Sequence, residues 1–150
     1  MVSLAIAIGI VLVVVGVMKS VTGREALGLP AAIESTDPVK GSVRVPSQTR
    51  VFADLLPGYE GVFVIDDVEI PTTNLNEPEP GSEPRQPGQQ VTLPPNTIYE
   101  AGNATLTFVP SDEALIKSFR EGRHTVTLIF WKTIEGRGRA QTYSWDFNVF

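Results

Sequence analysis

Residues 124–150 read HTVTLIFWKTIEGRGRAQTYSWDFNVF, and this stretch decides the fold class. In its first part Val126, Leu128 and Phe130 recur at every second position. In its last part Tyr143, Trp145, Phe147 and Val149 do the same, with Thr142, Ser144, Asp146 and Asn148 between them. A period of two sends successive side chains to opposite faces, so each run is a strand with one apolar and one wet side. The residues between them, 134–140, carry Gly136 and Gly138 beside Arg137 and Arg139, which lets the chain turn through a positive φ. The stretch is a β-hairpin.

Working back from that hairpin, the same period and the turn residues between runs predict strands at 41–46, 50–55, 61–65, 91–93 and 105–109, with a short one near 68–70. Between 109 and 124, Ser111 can cap free amides, and Asp112 and Glu113 suit the positive end of a helix. One or two helical turns are therefore expected there, with Leu115, Ile116 and Phe119 on one face closing the bottom of the domain. The segment 74–90, NLNEPEPGSEPRQPGQQ, has Leu75 as its only aliphatic residue. Rich in Pro, Glu and Gln, it predicts a long mobile loop.

The N-terminal end follows different rules. Residues 2–18, VSLAIAIGIVLVVVGVM, carry no charge and no polar stripe at helical spacing. At about 1.5 Å per residue they make a helix of roughly 25 Å, enough to span a bilayer. We read residues 1–19 as a retained transmembrane helix; a cleaved signal peptide competes, but the charged leading region and a small-residue cleavage site near Met18 are missing. Lys19 and Arg24 would by the positive-inside rule draw the following side toward the cytoplasm. Two charges are few, and the character of the domain places it outside the cytoplasm in our reading. Residues 20–37 then form a linker with Gly23, Gly28 and Pro30, and residues 38–150 form the domain.

Composition narrows the function. The chain of 150 residues has no cysteine, which excludes disulfides, thiolate zinc sites and thiol nucleophiles. A formal charge of −5 argues against a nucleic-acid binder, because neutralising phosphates needs a basic surface. The charge is uneven. Residues 54–84 hold eight carboxylates and no Lys or Arg, whereas 117–139 hold six basic residues against Glu121 and Glu135.

The segment Pro110-Ser111, then Glu121-Gly122-Arg123-His124-Thr125-Val126-Thr127-Leu128, then Tyr143-Ser144-Trp145-Asp146-Phe147-Asn148-Val149, resembles the closing half of bacterial immunoglobulin-like domains, which end in a G-x-H/Y-T-V strand and a W-x-F-x-V strand. The likeness spans residues 110–149. Upstream, residues 62–71 look loosely like the Asp-Gly hairpin of the same domains, with Asp67-Val68 in place of Asp-Gly. Joined to the apolar segment above, the resemblance completes the expected fold, all-β: a single immunoglobulin-like antiparallel β-sandwich, outside the cytoplasm, preceded by one N-terminal transmembrane α-helix. It implies a use in adhesion, spacing or scaffolding and brings no catalytic residue with it.

Candidate sites are few. His124 is the only histidine, and a lone imidazole makes neither a metal site nor a triad. Asp66, Asp67 and Glu69 supply oxygen ligands of the kind calcium takes, but without the EF-hand spacing and on alternating faces. Asn103-Ala104-Thr105 fits the glycosylation pattern, which arises often by chance. No catalytic, metal or cofactor constellation is expected, nor a small-molecule substrate. Trp131 has the parity opposite to the inward set, so with Lys132, Arg137 and Arg139 it is the candidate partner contact. The expected function is a non-catalytic, membrane-anchored interaction module, an accessory or scaffold subunit of a membrane or envelope assembly with other protein subunits as partners. A pilin-like filament subunit and a free surface adhesion module are the alternatives; an enzyme is not expected.

Overall fold

The computed structural model describes residues 28–77 and 94–150. The apolar segment 2–18, the linker up to residue 27, the strand expected at 91–93 and most of the 74–90 loop lie outside the described residues. Among the described residues no helix is long and apolar enough to cross a membrane.

Ten strands form two five-stranded sheets. The first contains β1 (Ile33–Asp37), β3 (Val51–Leu55), β8 (Thr105–Phe108), β7 (Thr97–Glu100) and β6 (Thr72–Asn74), in that spatial order. The second contains β2 (Ser42–Val45), β10 (Gln141–Val149), β9 (Gly122–Lys132), β4 (Tyr59–Ile65) and β5 (Val68–Glu69). The described residues are all-β, a two-layer sandwich compatible with the immunoglobulin-like expectation.

The hairpin read from the sequence is the backbone of the second sheet. β9 and β10 pair in register from Gly122↔Val149 to Phe130↔Gln141. Their inward residues Val126, Leu128, Phe130, Trp145 and Phe147 are at most 2 % exposed, while Thr142, Ser144 and Asn148 are exposed. Opposite them stand Ile33, Val51, Ala53, Leu55, Leu106 and Phe108 from the first sheet, also buried. This is one apolar layer between two pleated faces, and it excludes water from side chains that contribute roughly 1.5–3 kcal/mol each on burial.

Several expectations need correcting. The expected linker, 20–37, ends in a strand: β1 pairs with β3, and Ile33 is fully buried. β6 and β7 were not foreseen, nor was the direction of two edge pairings, since β2 runs parallel to β10 and β6 parallel to β7. The remaining pairings are antiparallel. The helical turns expected at 111–119 do not form. Ala114 N–H bonds Ser111 C=O to close a single turn. Beyond it, Phe119 N–H donates to Ser47 C=O, and Gln48 Nε2 donates to Lys117 C=O. The segment 46–48 thus takes the backbone groups that a helix would use, so Ala114 and Phe119 turn inward and Leu115 is left 64 % exposed.

A clasp at one end of the second sheet fixes this connection. Asp66 and Asp67 both have positive φ in the tight turn that pairs Ile65 with Val68, the conformation of a type I′ hairpin turn. From there one Asp66 oxygen accepts Thr125 N–H at 2.9 Å, and the other lies 2.6 Å from His124 Nδ1. The second imidazole nitrogen lies 2.7 Å from Arg120 C=O, and the ring packs against Phe119 and Phe147, which also meet each other edge-on. His124 is therefore a structural tie joining turn, connection and strand.

Candidate interaction face

The outer side of β4, β9 and β10 is where the inward parity leaves Glu60, Val62 and Val64 on β4, Thr127, Ile129 and Trp131 on β9, and Thr142 and Ser144 on β10. Register places Val62 beside Ile129 and Glu60 beside Trp131. A stripe of half-buried apolar side chains thus crosses a face that, in an isolated antiparallel sandwich, is ordinarily polar. One end of it is built more elaborately. Trp131 Nε1–H donates to Glu60 Oε1 at 2.6 Å, which fixes the plane of the indole across the strand pair.

The loop after β9 folds back over that indole. Gly136, at φ 69, turns the chain into the single 3-10 turn Arg137–Arg139, and a residue with a Cβ would be strained there. This aims the Arg137 guanidinium over the Trp131 ring, 5.8 Å from its centroid. Its two terminal nitrogens reach Glu69 on β5 at 3.1 and 2.7 Å, a bidentate fork that only a planar cation makes. A strap therefore runs from the β9–β10 loop, across Trp131, to the far edge strand.

Beside the strap lies a cleft of about 230 Å³ between the two sheets, with Val62, Asn74, Glu77 and Tyr99 among its walls. Tyr99 O–H donates to Tyr59 C=O at 2.8 Å. Burial first, and the charge of Glu60 second, push the Tyr99 phenol above its ordinary range, so it is a neutral donor across the physiological range.

The hydrogen bond from Arg137 holds the Glu69 carboxyl below its ordinary range; desolvation opposes it, and the charge of Arg137 adds a lesser pull in the same direction as the hydrogen bond. A carboxyl depressed by folding stabilises the fold above its unfolded-state value, and that contribution is lost as pH falls through the depressed value. Both side chains are about half exposed, 51 % for Arg137 and 48 % for Glu69, so the pair contributes at most about 1 kcal/mol. The expected consequence is local. Protection of the 134–139 amides, measured as exchange relative to the intrinsic rate at each pH, should fall on acidification and on adding salt at neutral pH, and Glu69→Gln should remove the acid dependence. Exchange indifferent to both would mean the strap is not what holds the loop.

Of the four contact residues expected from sequence, the structure brings two together. Trp131 and Arg137 meet; Lys132 turns to Glu135 at 3.4 Å, and Arg139 is exposed. Trp131 is half-buried rather than open, because Glu60 and Arg137 close on it. Sequence reasoning missed both carboxylates: each lies about 70 positions upstream of its partner, and only the β4–β9 and β4–β5 registers join them. Asp66 and Glu69, weighed above as calcium ligands, are bound to His124 and Arg137, and no group of three or more His, Cys, Asp or Glu is placed to hold a metal ion among the described residues. The chain matches no protein-family model, and comparison with curated proteins gives no match either.

Proposed function

We propose that this chain is a non-catalytic interaction module held at a membrane by residues 1–19, an accessory or scaffold subunit whose β-sandwich lies outside the cytoplasm and whose β4–β9–β10 face meets another protein. The sandwich is read as immunoglobulin-like. That reading is supported by the split N-terminal segment, with β1 in one sheet and β2 in the other, and by the order β2-β10-β9-β4-β5 facing β1-β3-β8-β7. The fold alone carries no function. The single observation behind the proposal is the Trp131–Arg137 stack held by Glu60 and Glu69 above the Val62–Ile129 stripe. Trp and Arg dominate interface energetics, and here both are fixed in place before any partner arrives, which lowers the ordering cost of binding.

The test is gentle detergent extraction of the tagged full chain from its own cells, affinity purification, and mass spectrometry of proteins that co-elute in fixed proportion. A defined set of membrane proteins is expected. Trp131→Ala and Arg137→Ala should each reduce their recovery by about tenfold, as loss of a central contact of 1–2 kcal/mol or more implies. Partners retained in full by both variants would remove this face from the interface. Recovery of the chain alone would favour a free adhesion module, and long filaments a pilin-like subunit.

A further inference from the structure

The opposite side of the sandwich carries a groove that the Trp131 face does not explain. It lies on the outer surface of β7 and β8 and has a volume of about 620 Å³, within the range of small-ligand and peptide-side-chain sites. Its apolar lining comes from Leu75, Pro94, Pro95, Ile98 and Val109. Ile98 and Thr107 are cross-strand partners at its floor, and Val109, just past the end of β8, is 52 % exposed.

The polar rim has one sign. Glu100, Asp112 and Glu113 border the groove, and no Lys or Arg among the described residues lines it. Asp112 and Glu113 stand on the turn closed by the Ser111–Ala114 hydrogen bond, both exposed, and neither forms an ion pair among the described residues. The two consecutive prolines on one wall have no N–H to offer. Asn96 beside them already spends a side-chain donor on Thr73 Oγ1 at 3.2 Å. The groove therefore presents apolar surface and carboxylates, with the hydroxyls of Thr107 and Ser111 and the Asn96 amide as its neutral polar groups.

From this we infer a second docking site, one that takes a protein segment inserting an apolar side chain flanked by Lys or Arg. The apolar side chain fills the space between Ile98, Val109 and the prolines, and the flanking cations meet Glu100 on one side and Asp112 and Glu113 on the other. Charge complementarity selects this occupant over an acidic or neutral one, because an acidic segment would bring like charges against three carboxylates. The site is independent of the Trp131 face, so the module has two contact surfaces on opposite layers.

The test is a titration of the isotope-labelled full chain in detergent micelles with the blocked peptide acetyl-Arg-Leu-Arg-amide, read by methyl and amide chemical shifts. Saturable shifts are expected at Ile98, Thr107 and Val109, weakening as salt is added. The double change Asp112→Asn with Glu113→Gln, in an exposed turn where folding is not at stake, should weaken binding by about fivefold, and Val109→Ser should do so without altering the salt dependence. Acetyl-Glu-Leu-Glu-amide should leave these resonances unmoved. Equal response to both peptides, no response at millimolar Arg-Leu-Arg, or unchanged affinity in the charge variant would each overturn the proposal. So would shifts of the groove resonances with protein concentration alone, since the occupant would then be a second copy of this chain.

Discussion

Gly61→Val is expected to destabilise the domain by about 3 kcal/mol or more and to dismantle the Trp131 cluster with it. Gly61 sits in β4 opposite Phe130, and a Cβ placed there would lie 2.7 Å from Ile129 O and 3.3 Å from Phe130 Cα. Both neighbours are backbone of the paired strand, so no flexible side chain can move aside. The ladder between β4 and β9 has to separate locally, and that is where Glu60 and Trp131 hold each other. Alanine already carries the offending Cβ; valine adds two methyl groups. The measurement is urea denaturation of the full chain in detergent, followed by far-ultraviolet circular dichroism. A loss about twice as large for Gly61→Val as for Gly61→Ala is expected, together with increased exposure of Trp131 to a fluorescence quencher in both. A wild-type midpoint in the valine variant would show that the two strands are not as closely apposed as described.

Trp145→Ala should cost about 3–5 kcal/mol, the usual range for removing a large aromatic side chain from a core. Trp145 is 2 % exposed, meets Phe63 edge-on at 6.4 Å and stacks on Tyr143 at 5.6 Å. Its Nε1–H is buried without a hydrogen-bond partner among the described residues. That unpaired donor carries a desolvation penalty of about 1–3 kcal/mol in the native fold. Trp145→Phe removes the donor while keeping most of the ring, so it should lose far less than the alanine variant. Equal losses in the two would overturn the view that ring packing is what Trp145 contributes. Against a total stability of about 5–15 kcal/mol for a domain of this kind, the alanine variant stands near the threshold of unfolding.

What the sequence revealed depended on how long each strand is and how different its two faces are. β9 and β10 have several consecutive alternations, with apolar residues at the inward positions and mostly polar ones outside apart from Ile129 and Trp131, a period that a helix does not satisfy. β1 defeats the same test. In Ile33–Asp37 a bulge between Ile33 and Ser35 breaks the period, so the two buried residues, Ile33 and Thr36, fall three apart. β6 buries no residue fully, and β7 exposes its character only through Thr97 and Tyr99. The 111–119 segment misled for another reason: Ser47 and Gln48, which take its backbone hydrogen bonds, lie too far away in sequence to be anticipated. The interaction face was half legible. Parity alone exposed Trp131, and the glycines of the following loop marked a turn next to it. Which arginine would return over the ring depended on the φ of Gly136 and on Glu69 standing at the sheet edge, neither of which spacing can supply.

The parallel pairing of β2 with β10 bears on how the domain would carry a load. Ser42 lies beside Phe147 and Val45 beside Val149, with Gly41 N–H bonded to Asp146 C=O at 2.7 Å and Phe150 N–H to Val45 C=O at 3.4 Å. A pull applied between the chain before β2 and the chain after β10 drives the two strands in opposite directions along their common axis. Their cross-links are then strained together in shear instead of opening one after another like a zip. Rupture under tension is governed by the barrier to unfolding and not by equilibrium stability. A domain wired in this way resists such a pull at the seam where β2 and β10 meet, whatever the free energy of the rest of the fold.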